Sequence, residues 1–220
     1  MIESSRPLEP IEHLQTIKEL ARRRIQAAIL DGSLKSGEEI NQAELARQLG
    51  ISRGPLREAL VELERDGLVI NHPHRSTIVA PFSLDDIQEL VDLRCLLEGY
   101  SASRIVEQGI SIEPLEKVFA QMVALEGKGT LDEFAEAEVD FHTTLIHLTG
   151  RKHLASMWTR IITLFRRFLR AGVLYTNQVE THKAFLDALR SNDAALAAEA
   201  ARQHVWKAYQ EVMSEFKKST

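Results

Sequence analysis

Cysteine is almost absent: Cys95 is the single one in 220 residues. No internal disulfide can form, which excludes a disulfide-stapled secreted scaffold. Aromatic residues are sparse, at 6%. No apolar run approaches the ~18 residues that a membrane-spanning helix needs. The N-terminus also lacks the apolar stretch of a signal peptide. These absences lead to the expectation of a cytoplasmic protein. An excess of positive charge is missing too. The net charge is −5, and residues 1–80 carry 11 Lys and Arg against 12 Asp and Glu. This argues against a generic polyanion binder held by bulk charge. Any nucleic-acid reading has to rest on where individual arginines sit.

What is present is helical. Ala and Leu abound, and apolar residues recur at helical spacing over most of the chain. Residues 1–12, with Pro7 and Pro10, read as a tail. A first domain is expected over 13–81 and a second over 82–220, with Pro81-Phe82-Ser83 at the junction. The first domain begins with a helix over 14–30, stopped by Asp31-Gly32-Ser33. A helix over 42–49 follows, with Asn41 as cap and Gly50 as stop, and Ser52 can cap a third. Leu68–Ile70 and Thr77–Val79 are strand-like runs around a hairpin loop at 71–76. Beyond Ser83 the pattern predicts helices at 84–108, 112–126, 131–149, 151–171, 176–190 and 193–217. The expected fold class is therefore mainly α: a three-helix winged helix-turn-helix with a small β-hairpin, then an all-α bundle.

Helix, glycine turn, helix and hairpin is the order in which a supporting helix presents a second one to the major groove. Ser52, Arg53, Gly54 and Arg57 stand at the start of that second helix. Arg53 and Arg57 are four residues apart and share a face, while Leu56, Ala59, Leu60 and Leu63 occupy the other. Arginine grips guanine O6 and N7 bidentately. Ser52 and the first backbone amides suit a phosphate. The plainer alternative for both arginines is ion pairing with Glu58 and Glu62 on a solvated face.

The stretch LARQLGISRGPLREALVELERDGLV, residues 45–69, resembles the signature of the GntR family of bacterial regulators, with a likeness running over about 40 residues from Ala28 to Gly67. The resemblance implies that Arg53 and Arg57 contact DNA, with Ser52 and Gly54 beside them. It also implies that the wing at 72–76, with Arg75, reaches toward the minor groove. Two positions depart from the pattern: Ser76 stands where glycine is usual, and Ala43 where some members carry a DNA-contacting arginine.

In the second domain, Glu138 and His142 lie four residues apart on one face. His182 heads a stripe with Phe185, Leu186 and Leu189, and His204 lies among Ala197, Ala201 and Ala208. Three imidazoles and a carboxylate thus point inward from three helices. A single inward histidine usually just hydrogen-bonds, but a divalent metal would satisfy several at once. His147 and His153 flank the Gly150 break and read as surface or packing residues. Arg94 sits among Leu90, Val91 and Leu97, where an unpaired guanidinium is costly. It either pairs with a carboxylate such as Glu98 or clamps a carboxylate ligand.

Residues 83–215 resemble the FCD-type ligand-binding domain found in part of the GntR family. The likeness is carried by ELVDLRCLLEGYSA at 89–102, EVDFHTTLIHLTG at 138–150, and His182 and His204. It implies metal ligation by Glu138, His142, His182 and His204, with Glu138 where aspartate is common. It further implies that Arg94 faces an effector cavity. Zinc suits a histidine-rich set best, with nickel and manganese as alternatives. The expected protein is a homodimeric repressor of a palindromic double-stranded operator, answering to a small carboxylate or sugar acid. The competing readings are a metal-free, effector-free dimerisation module and a metalloenzyme. The last lacks a dedicated general base, since the pattern is not HExxH, so no enzymatic activity is expected.

Overall fold

The computed structural model describes residues 16–72, 76–169 and 178–219. The tail at 1–12, Leu14, Arg75 and Arg170 lie outside them. The chain divides into two compact units, one ending at Ala80 and the next starting at Pro81.

The first unit opens with α1 (Ile17–Leu30). Thr16 and Glu19 cap each other's backbone amides in a reciprocal box. Helix α2 (Gln42–Leu49) starts at Asn41, whose Oδ1 accepts from the amides of Ala43 and Glu44 at 3.1 Å each. It ends at Gly50 in the left-handed region, φ 66°, a conformation that glycine adopts without steric cost. Helix α3 (Arg53–Arg65) follows at once. Ser52 holds the expected cap position but makes no capping hydrogen bond with its side chain. Leu56, Ala59, Leu60 and Leu63 form the buried face. Each large side chain among them contributes roughly 1.5–3 kcal/mol of burial. On the outside, Glu62 pairs with Lys18 (2.7 Å) and Arg22 (3.6 Å) of α1.

The expected hairpin is there, as β2 (Val69–Asn71) and β3 (Thr77–Val79), with Val69 opposite Val79 and Asn71 opposite Thr77. A third strand, β1 (Glu39–Ile40), joins the free side of β3, giving the order β1-β3-β2. Two residues are too few to show an alternating pattern, so β1 has no signature of its own. Ser76, in the glycine-favouring position, does not have a positive φ. Its carbonyl accepts from the His72 amide at 3.1 Å, closing the hairpin.

The second unit contains α4 (Leu84–Glu107), α5 (Glu113–Leu125), α6 (Leu131–Leu148), α7 (Lys152–Leu169), α8 (Gln178–Arg190) and α9 (Ala194–Ser219). Ser83 and Asp86 cap α4 reciprocally. One apolar cluster gathers Ile87, Val91, Val139, Trp158, Phe165 and Val205 from α4, α6, α7 and α9. The other gathers Ala102, Leu115, Phe141, Phe185 and Ala201 from α4, α5, α6, α8 and α9. Both use α4 and α9, the central pair of the bundle. Gly99 sets how close these two come: a Cβ there would lie 3.3 Å from the Ala198 carbonyl oxygen and 3.1 Å from Arg202 Nη1.

Gly99→Val should therefore push α4 from α9 and destabilise this unit by about 1–3 kcal/mol. Both tryptophans, Trp158 and Trp206, belong to it. Urea denaturation followed by tryptophan emission reads the unit alone, and an unshifted midpoint would show that the helices have room to spare.

Candidate nucleic-acid interface and metal centre

Helix α3 places Ser52, Arg53, Gly54 and Arg57 together at its exposed N-terminal end. Among the described residues, neither Arg53 nor Arg57 takes part in an ion pair. Glu62, one of the anticipated partners, is engaged with α1 instead. Arg57 Nε donates to Gln42 Oε1 at 3.4 Å. The Gln42 amide donates in turn to Thr77 Oγ1 (2.9 Å), and the Thr77 hydroxyl donates to Asn71 Oδ1 (2.6 Å). Asn71 is held by Glu64 of α3 through its backbone and side-chain N–H groups, both at 2.9 Å. These bonds tie the start of α2, the exposed face of α3 and the two wing strands to one another. An open groove of about 730 Å³ lies between them, lined among others by Gln42, Arg57, Asn71, His72, Ser76 and Thr77. Unpaired guanidinium groups beside such a groove can meet base edges and phosphates.

Thr77 is buried and joins the Gln42 and Asn71 side chains. Thr77→Val should cost on the order of 1–3 kcal/mol, because it leaves an amide donor and a carbonyl acceptor unmatched. Faster amide hydrogen exchange in β2 and β3 reads this loss; unchanged protection there would show that the network carries no stability.

In the second unit, Glu138 and His142 of α6, His182 of α8 and His204 of α9 converge. All four are buried, and each offers one ligand atom within 4.8 Å of the others. His142 Nε2 lies 3.1 Å from Glu138 Oε1 and 3.4 Å from His204 Nε2. Glu138 Oε2 lies 3.1 Å from His182 Nε2. Phe141 sets its ring edge-on to His182, with centroids 4.6 Å apart, and Phe185 stacks on His204 at 5.7 Å. By contrast, Asp140, His147 and His153 are exposed.

The electrostatics of this cluster follow from its burial. Burial alone would raise the Glu138 carboxyl, yet the neighbouring His182 and His142 hold it well below the usual range. Burial first, then the charges of His182 and His142, push His204 well below the usual imidazole value, toward the neutral form that can ligate. His142 moves the other way: burial lowers it, but Glu98 prevails and raises it. One polar atom of the cluster, His204 Nδ1, is buried without a hydrogen-bond partner among the described residues. Three imidazoles and one carboxylate converging in a buried site, with one ring nitrogen left unpartnered, fit a divalent metal ion.

Arg94 is buried, and its Nε donates to Glu98 Oε1 at 2.8 Å. The ion pair with Glu98, one of its two anticipated roles, is formed. Its guanidinium carbon lies over the Phe165 ring, 4.4 Å from the centroid. The sequence relates Glu98 only to Arg94, but its other oxygen, Oε2, lies 2.5 Å from His142 Nδ1. Helical spacing relates Glu98 to Arg94; nothing local relates it to a residue 44 positions on. Arg166 pairs with Glu136 at 2.6 Å.

Comparison with known proteins agrees with these two units. Residues 17–79 match the model "Bacterial regulatory proteins, gntR family", and residues 89–206 match the FCD domain. The chain is 28% identical over 188 residues to an HTH-type transcriptional regulator of Bacillus subtilis, YdhC, covering 82% of each chain. It is 24% identical over 193 residues to the gluconate operon transcriptional repressor of Bacillus subtilis, covering 82% of this chain and 78% of that one. Among solved structures, E. coli McbR/YncC shares the fold, with a TM-score of 0.74 at 17% identity over 92% of this chain and 100% of that one. No helix among the described residues is long and apolar enough to cross a membrane.

Proposed function

Because the chain belongs to the GntR family, in the class with an FCD domain, and is thus a DNA-binding transcriptional regulator rather than an enzyme, we propose that it is a repressor governed by a small carboxylate or sugar acid bound beside a metal. The observation that carries this reading is the buried group of Glu138, His142, His182 and His204, joined through Glu98 to the guanidinium of Arg94.

The unit ending at Ala80 reads DNA. Arg53 and Arg57 meet base edges, and Ser52 with the first amides of α3 holds a phosphate. That Ser52 makes no cap hydrogen bond leaves its hydroxyl available for this. Gly54 presents no side chain to hold the backbone off the duplex, and Arg75 in the wing adds a contact to the neighbouring groove. A homodimer would set two such helices against the halves of a palindromic operator.

The unit starting at Pro81 senses and dimerises. Glu138, His142, His182 and His204 hold the metal, zinc by the make-up of the set, with nickel and manganese as alternatives. When bound, such an ion supplies a Lewis-acidic attachment for a carboxylate oxygen. Arg94 orients the same anion by charge-assisted hydrogen bonds. The gluconate named in one relative is a sugar acid of this kind. Effector binding regulates by favouring one placement of the DNA-reading units over another.

Arg57→Ala should weaken operator binding by about 1–3 kcal/mol per half-site, with fold and assembly intact. Fluorescence anisotropy on a labelled operator measures this, and wild-type affinity in the variant would remove the proposed role of α3. His182→Ala should lower the metal content of the purified protein and abolish the gain in melting temperature on adding zinc. Full occupancy in that variant would show that the ligand set is misassigned.

A further inference from the structure

We infer that Glu98 is the positioning residue of the metal centre: it selects the tautomer of His142 that turns a lone pair toward the other ligands. The inference rests on the ligand set proposed above and adds a residue outside it.

Glu98 has no exposed surface. Its two oxygens serve different partners, Oε1 accepting from Arg94 Nε at 2.8 Å and Oε2 lying 2.5 Å from His142 Nδ1. An ionised carboxylate can only accept, so the proton in the second contact belongs to Nδ1. In the neutral ring the lone pair is then on Nε2. That nitrogen faces Glu138 Oε1 at 3.1 Å and His204 Nε2 at 3.4 Å. The opposite tautomer would aim an N–H into the ligand set and set a lone pair against the Glu98 carboxylate. Pairing with Arg94 alone would need only one oxygen and would not require the other to approach His142.

A carboxylate behind a ligating histidine fixes ring orientation and raises ligand basicity. Glutamine at this position keeps the size but has a single acceptor atom, so either Arg94 or His142 loses its partner. Arg94 and the metal centre therefore share one anchor, Glu98.

The test uses the full chain. Zinc is titrated in competition with a chromophoric chelator, and the zinc-loaded chain with nitrogen-15-labelled histidine is read by long-range proton–nitrogen correlation. The expected result is a wild type with His142 protonated at Nδ1 and bound through Nε2, and a Glu98→Gln variant that binds zinc about 10–100-fold more weakly. If Glu98→Gln lowers thermal stability but leaves zinc affinity and the His142 tautomer unchanged, Glu98 is only a partner for Arg94 and the inference is overturned. A wild type with zinc on His142 Nδ1 overturns it with no variant needed, which covers a Glu98→Gln chain that fails to fold. A wild type that takes up no zinc removes the ligand set itself, and this inference with it.

Discussion

A carboxylate shut away from water has to be neutralised by whatever surrounds it, and Glu98 imposes this constraint on the second unit. Unpaired, an ionised carboxylate at zero exposure would cost far more than a small domain's stability margin. The bundle meets the requirement from two helices at once. Arg94 reaches Glu98 along α4 itself, and His142 reaches it from α6. Arg94 is in turn buried against Phe165 and Trp158. His142 continues to Glu138, and Glu138 to His182. Polar residues buried in the unit are thus joined into one network that spans α4, α6 and α8, with His204 of α9 beside it. Helix α9, which carries His204, packs closely on α4 at Gly99.

The first unit uses charge in the opposite way. Its arginines at the start of α3 are exposed and lack anionic partners among the described residues, while Glu62, Glu64 and Glu44 are committed elsewhere. A domain with no net positive charge can still present local cations where some of the nearby acids are occupied elsewhere. Lys18 and Arg22 occupy Glu62, Asn71 occupies Glu64, and Arg47 occupies Glu44.

Much of this was legible in the sequence, for physical reasons that differ by element. Long helices with one apolar face declare themselves, so the ends of α4 to α9 that fall among the described residues are readable to within a few residues; the break expected at Gly172 lies outside them. The inward histidines were readable because each sits on a stripe of apolar or small residues. Strand β1 was not, since two residues carry no period. Residue type marks Ser52 as a cap, and it occupies that position without making the bond, which only geometry reveals. Glu98 is the instructive miss. Its spacing to Arg94 was visible along one helix, whereas its contact with His142 depends on how α4 and α6 pack. Tertiary pairs of this kind leave no local trace.

The buried network also has a formal charge. With all the histidines in the neutral form that ligation requires, Arg94 contributes one positive charge and Glu98 and Glu138 one negative charge each, so the interior then sums to a single negative charge. A divalent ion among the histidines would turn that sum to a single positive one. A positive interior is no more comfortable than a negative one in a medium of low polarisability. The species that restores neutrality is a monovalent anion. On this count, if the bundle takes a metal and an effector anion as proposed, the cation comes first, because only then does the interior lack one negative charge.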